Sequence, residues 1–555
     1  MSVCDDYYYS TRQGPYILLG ERNPLTCSDL YVISQGCCLD HVRNSRSESP
    51  LPWIGIYVAV ASLVCSLAMA ADVLQGFRHR KLWFPCRFFT LNAASLTLLA
   101  VAMKLPVDLS SRMPTSIDQV AKLTSTAFMS TAIGNFMPSL GAMDDKELFM
   151  NITALAILVI TIIVNICIQF STRVINYFLM REHIAVLCFM FVLLVVSSFA
   201  ALTVSTTKKC FQLKYDDIHK IISREESEET KKFIIEKLKV NLKKYWMMAK
   251  FGSPQFVMAR SVHCHASGAI CCFATLTLAE VHLIMFFYGD NIRRNFYGDH
   301  SDYIDPHNVG SSYKWSTFVV FVIQSFGVGV GTIAPAFRCF TAIRLMCSEK
   351  RVKSYKAEFK IENYWIERPV GWKQSRLGLR VWGQKCRRLV HNTKNLILNF
   401  CIRVQIVIVT ISKLNLLISV FLISMFLTFG HSYKVLKQKL ISNHTASSNQ
   451  TGSECTELDL SHYVLYLEGE EELPMQIMKD NIDVVNRFIQ KGEKQRPKYL
   501  KELLEKSAAF MGVARFDSDK VPSLDMKEPP NCWSLPVVTL TSIAISLPNI
   551  EEHKV

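Results

Sequence analysis

Signatures of familiar enzyme chemistry are missing from this sequence. It has no P-loop, no GxSxG, no HExxH and no GxGxxG after a strand. The run GVGVG, from Gly327 to Gly331, lies inside an apolar stretch and opens no nucleotide loop. The chain is therefore not expected to be an enzyme, and no cofactor is implied. The first fifty residues lack an apolar h-region, so no cleavable signal peptide is expected and the first membrane run must act as its own insertion signal. Internal repeats and heptad runs are absent as well. Zinc spacing is not matched either: His263, Cys264, His265, Cys271 and Cys272 carry ligand-type side chains but not the paired short spacings of structural sites, so no metal is assigned.

What is present in quantity is apolar sequence. Half of the 555 residues are hydrophobic and the mean hydropathy is +0.19, high for a soluble globular chain. Several runs approach the roughly 20 residues needed to cross about 30 Å of hydrocarbon. An integral membrane protein is the class. The net charge of +15 sits in loops beside these runs, where topology and anionic lipid explain it better than nucleic acid. Of 18 cysteines, many (Cys65, Cys167, Cys188, Cys271, Cys272, Cys401) fall within apolar runs and read as small core residues rather than a disulfide scaffold.

Taken in order, residues 1–51 read as an irregular extracytoplasmic segment. Residues 52–204 carry five spans: 53–71, 88–103, 123–143, 149–170 and 184–204. The third, with Gly134, Asn135 and Pro138, is expected to be buried among its neighbours or broken. Arg78, Arg80, Lys81 and Arg87 after the first span place that loop in the cytoplasm and the N-terminus outside. Residues 205–260 form a basic cytoplasmic loop, 261–337 hold two more spans, and 338–395 make a second basic loop. Residues 396–430 supply an eighth span with an interfacial extension; a hairpin is the rival reading, disfavoured by Arg403 and Gln405. Residues 431–555 then become an extracytoplasmic helical region, where sequons at Asn443 and Asn449 would be glycosylated. The expected fold is an all-α bundle of about eight membrane helices.

Four features invite functional readings. Glu280 lies inside the run 262–288, and a carboxylate in hydrocarbon costs roughly 2.5 to 3.5 kcal/mol without a partner, proton or water. Counting helical rise, Gln324 in the next span is its best partner by depth, ahead of Lys413. Gly327, Gly329, Gly331 and Pro335 form either a close-packing face or a broken helix lining a cavity. Ile234, Leu238, Leu242, Tyr245 and Ala249 recur at helical spacing beside Lys231, Lys232, Lys237, Lys239, Lys243, Lys244 and Trp246, the chemistry of an anionic-lipid or calmodulin binder.

The stretch SLVCSLAMAADVLQGFRHRKLWFPCRFFTLNAASLTLLAVAMKLPVDLSS (62–111) resembles a family of plant multispanning membrane proteins whose biochemical activity is unassigned. So do GERNPLTCSDLYVISQGCCLD ahead of it and EPPNCWSLPVVTLTSIAISLPNI near the end. The resemblance implies a plant membrane, plasma or internal, and a longer protein of which Val555 is an early end. It carries no catalytic residue. Two functions remain: a noncatalytic scaffold or receptor-like component with lipid and protein partners, or an ion or small-solute transporter using Glu280.

Overall fold

The computed structural model describes residues 49–78, 84–111, 113, 115–175, 177–228, 234–297, 311–347, 361–375, 384–441, 460–470 and 475–493. Among these residues there are helices and no strands. In chain order they are α1 (Leu51–Arg78), α2 (Ala93–Ala102), α3 (Lys104–Val107), α4 (Ser116–Phe136), α5 (Asp145–Ser171), α6 (Met180–Glu228) and α7 (Ile234–Gly252). There follow α8 (Pro254–Arg260), α9 (Val262–Tyr297), α10 (Trp315–Cys347), α11 (Glu367–Gln374), α12 (Gln384–Ile441) and α13 (Met475–Glu493). Six are long and apolar enough to cross a membrane: α1, α5, α6, α9, α10 and α12.

Burial is inverted relative to a soluble bundle. Along α1, Val58, Ala61, Ser62, Cys65, Ser66 and Met69 turn inward at helical spacing, while Trp53, Tyr57, Val60, Leu67 and Leu74 turn outward. Small and weakly polar residues inside with large apolar ones outside is the pattern of helices packed in lipid, where close backbone approach replaces the hydrophobic drive.

Two expected spans are not among the six. The stretch 88–103 is helical only over Ala93–Ala102, whose first turn is capped by Asn92 and Ser95. The stretch 123–143 belongs to α4, which starts earlier, at a Thr115–Asp118 capping box, and is almost entirely buried. Its hydroxyls find partners inside the bundle: Thr124, Thr126 and Ser130 each donate to the carbonyl four residues back, and Ser125 to Gln324 Oε1. A helix this polar can therefore lie at the centre of the bundle. It gives way to a 3-10 turn at Met137–Ala142, where Pro138 intervenes.

Contacts define two ends. At the end where α1 begins (the Leu51 end), Tyr313 Oη donates to Asp108 at 2.6 Å, Ser311 Oγ to Asp118 at 2.7 Å and Gln119 Nε2 to the Val174 carbonyl at 3.1 Å. At the opposite, Arg78 end, Asp72 accepts from the backbone N–H groups of Arg87, Phe88 and Phe89, and Ser139 Oγ from that of Leu91. Among the described residues, α1, α2–α3, α4, α5, α6, α9 and α10 each run between these ends.

A second core lies at the Arg78 end. Phe211 and Tyr215 of α6, Leu242 and Trp246 of α7, Trp365, Val409 of α12, Leu465, and Val485 of α13 are buried together. Residues 460–470 and α13 share a core with 205–260, two regions that the expected topology sets on opposite faces of a membrane. The alternation argument assumed that 396–430 crosses and delivers the chain to the other face. Moreover, α12 is one continuous helix of 58 residues, which excludes a hairpin within 396–430.

Candidate functional site

Three prolines shape the interior. Proline has no N–H, so the carbonyl four residues earlier in a helix loses its donor. Pro106 frees the carbonyl of Ala102, Pro138 that of Gly134 and Pro335 that of Gly331. Each is met by a buried side chain from another helix. Gln324 Nε2 donates to Ala102 at 3.0 Å, Arg338 Nη1 to Gly134 at 3.3 Å, and Asn135 Nδ2 to Gly331 at 2.6 Å. Leaving such a carbonyl unmet in a buried site costs about 1 to 3 kcal/mol. These polar residues therefore close the frame.

Gln324 is 0% exposed and its other bonds are equally specific, Nε2 donating to Ser62 at 2.9 Å and Oε1 accepting from Ser125 at 2.5 Å. Glu280 is not its partner. The Glu280 side chain is 54% exposed on the flank of α9 and pairs with Arg181 at 3.4 Å. Helical rise matched their depths, but rotation about α9 carries Glu280 away from the core. Lys413 is engaged elsewhere, donating to Glu362 at 2.8 and 3.0 Å.

The glycines act by close packing. A Cβ at Gly327 would lie 2.3 Å from Ser66 Oγ and 2.5 Å from Phe128, and one at Gly331 would lie 2.9 Å from Met69 Sδ. Gly329 has open space around it. α10 continues through Pro335 to Cys347, so the broken-helix alternative does not describe it.

Charge gathers at the two ends. At the Leu51 end, Asp108 accepts from Ser110, Ser111 and Tyr313. Burial alone would raise its carboxyl, but the bonds from Ser111, Tyr313 and Ser110 outweigh it and hold the group well below the usual carboxylate range. The same burial, with Asp108 alongside, pushes the Tyr313 hydroxyl up. Nearby, Lys122 is 2% exposed and its Nζ donates to Gln169 Oε1 at 2.9 Å.

At the Arg78 end, Arg260 forms a two-point pair with Glu470, Nε to Oε1 at 2.9 Å and Nη2 to Oε2 at 2.7 Å. Lys214 donates to the Tyr466 carbonyl, and Lys244 sits 4.9 Å from the centre of the Tyr463 ring. The segment 460–470 is thus strapped onto α6, α7 and α8. Leu242 and Trp246, read as the apolar face of a lipid or calmodulin binder, are buried under it. Leu242, Tyr245 and Ala249 of the α7 apolar face are therefore covered, while the side chains of Ile234 and Leu238 lie outside the described residues. Lys243 is half-buried, the side chains of Lys237 and Lys239 and the whole of Lys231 and Lys232 lie outside the described residues, as do Asn443 and Asn449.

His263 stacks edge-on against Trp365 at 4.7 Å and reaches Ser412 Oγ at 3.5 Å. Among the described residues no three His, Cys, Asp or Glu side chains come together as a metal site. The residues missed by sequence reading are Lys122, Arg260 and Glu470, and Asn135 was singled out without its partner Gly331. Prolines inside apolar runs, each paired with an isolated polar residue in another run, were the available signal for Asn135. No family model matches the chain, and neither a curated protein nor a solved structure matches it.

Proposed function

We propose that the chain is a noncatalytic multi-pass membrane scaffold or receptor-like component that works through the assembly at its Arg78 end. The observation that carries this reading is the engagement of Gln324, Asn135 and Arg338 with proline-freed carbonyls. The polar groups best placed to line a path are part of the frame. Transport through Glu280 has no comparable support, since that carboxylate sits on the flank beside Arg181.

In this reading the Leu51 end faces outward and the eighth crossing is given up: seven segments cross, and α12 lies along the inner face. Supporting this, residues 409–420 of α12 meet His263 at the start of α9 and Ala342 and Ile343 at the end of α10, and the chain is back at the same end by Leu460, buried with Met247 and Phe251 of α7. α12 holds no Asp or Glu in its 58 residues. Its exposed Leu396, Phe400, Val407 and Ile411 rest at the hydrocarbon edge, with Arg388 and Arg403 at anionic headgroups. The membrane is a plant plasma membrane or endomembrane, on the resemblance of 62–111, and nucleic acid is not a partner.

The test is flux. Purified protein in proteoliposomes should pass no ion or solute above the empty-vesicle background. Saturable flux that Glu280→Gln abolishes without unfolding would replace the scaffold with a transporter.

A further inference from the structure

We propose that the flank where α6 and α9 run side by side is a docking surface within the membrane, and that its partner is a membrane helix carrying an arginine or lysine near mid-span. The two helices are antiparallel neighbours. Arg181 of α6 reaches Glu280 of α9 at 3.4 Å, and two turns further inward Phe189 stacks on Phe273 with ring centres 6.4 Å apart. The charged pair is open to its surroundings, the Arg181 side chain 79% and the Glu280 side chain 54% exposed.

This pair sits at hydrocarbon depth. Thr275 and Thr332 meet at 2.7 Å, which sets α9 and α10 level with one another. At about 1.5 Å per residue, Thr332 lies about 25 Å along α10 from Trp315 at the Leu51 end, and Glu280 stands about 7.5 Å nearer to that end than Thr275. Glu280 is therefore about 18 Å from the level of Trp315 and about 24 Å from that of Ile343, the two limits of the apolar span of α10. A hydrocarbon core about 30 Å thick encloses it. A carboxylate at that depth needs a partner, a proton or water, and lipid supplies none of them.

The cation already present is shared. Arg181 also pairs with Glu182 at 2.9 Å, so one guanidinium answers two carboxylates, and no other described cation pairs with either. Lys122, the buried cation of α4, is matched by Asp118 and Asp108. Glu182 is 6% exposed, and its Oε2 has no hydrogen-bond partner among the described residues. The flank thus carries one net negative charge and a spare buried acceptor. A guanidinium or ammonium on an incoming helix brings the missing charge and the missing donors. A second copy of this chain does not, because a twofold axis through the flank would set two net negative patches against each other.

The rest of the surface suits a helix. Ile184, Cys188 and Phe191 on α6 and Phe273, Leu276 and Leu283 on α9 are exposed. The small Cys188 admits close approach between the larger side chains, as small residues do in membrane helix contacts. The inference goes beyond the proposed function, whose working surface is the Arg78 end, and its readout involves no flux.

The experiment uses full-length protein in liposomes of uncharged lipid, mixed with photoactivatable leucine–alanine membrane peptides that differ only at mid-span, where they carry arginine, leucine or glutamate. The arginine peptide should cross-link to α6 and α9 about tenfold more than the leucine peptide, with the glutamate peptide lowest. Glu280→Gln should reduce that preference, and adding Glu182→Gln should abolish it. Arg181→Gln leaves both carboxylates unanswered and should raise the arginine-peptide yield. Equal yields for the arginine and leucine peptides overturn the proposal, as does an arginine preference unchanged by Glu280→Gln in folded protein. If the Gln variants do not fold, a fall in yield with Arg181→Gln overturns it instead. Cross-links between α6 and α9 of two copies that exclude the arginine peptide replace the basic partner with a dimer.

Discussion

Asn135 is engaged because Pro335 deprives Gly331 of its helical donor, and this dependence can be measured. Asn135→Ala removes the 2.6 Å bond to Gly331 and the 2.9 Å bond to Thr131. The Thr131 carbonyl keeps its helical partner, so the cost falls mainly on Gly331, at about 2 kcal/mol for one buried unmet carbonyl. That is roughly a thirtyfold shift in the unfolding equilibrium at 1.4 kcal/mol per decade. Pro335→Ala restores an N–H at position 335 that can close the helix onto Gly331. In that background Asn135→Ala should cost about 1 to 2 kcal/mol less, the two changes coupling well beyond the 0.3 to 0.5 kcal/mol scatter of independent sites. Equilibrium unfolding of the four proteins in mixed micelles provides the cycle. Additivity within that scatter would refute the assignment, and the same logic extends to Pro106 with Gln324 and Pro138 with Arg338.

Further outcomes follow from other contacts. Asp108 has its proton affinity lowered on folding, so its stabilising contribution is present above the unfolded carboxylate range near pH 4 and is lost on acidification through its lower folded value. Asp108→Asn should therefore flatten the acid side of the stability profile below pH 4, and an unchanged profile would dismiss that role. Glu280→Gln, at an exposed pair, should change stability by less than about 1 kcal/mol. A loss several times larger would return Glu280 to the core. Cysteines introduced at Leu109 and His462 should label from opposite faces of sealed vesicles with an impermeant maleimide; labelling from one face would restore a C-terminal region outside.

Apolar periodicity and the scarcity of charge were enough to read an all-α membrane chain, because lipid admits few other backbones. Hydropathy handled α4 poorly: its hydroxyls count as polar in a window average, yet in the helix they bond to their own backbone and to Gln324. Gln324 itself was singled out, but with Glu280 beside it. Depth along an axis is legible in residue counts, whereas the direction a side chain faces depends on which helices surround it. The assembly at the Arg78 end was hidden for a different reason. Arg260 and Glu470 are 210 positions apart, and their meeting depends on whether α12 crosses, a question its 58 largely apolar residues leave open.

The most direct test of an Arg78-end working surface is a charge swap across that contact, read by proximity labelling from a tag on the full chain in native membranes. Arg260→Glu leaves two carboxylates facing at a nearly buried site, so the strap over α7 should release and the labelled neighbours change. Adding Glu470→Arg should restore both the strap's resistance to protease and the original neighbours. If Arg260→Glu releases the strap while the neighbours stay the same, the Arg78 end is not the surface through which this protein works.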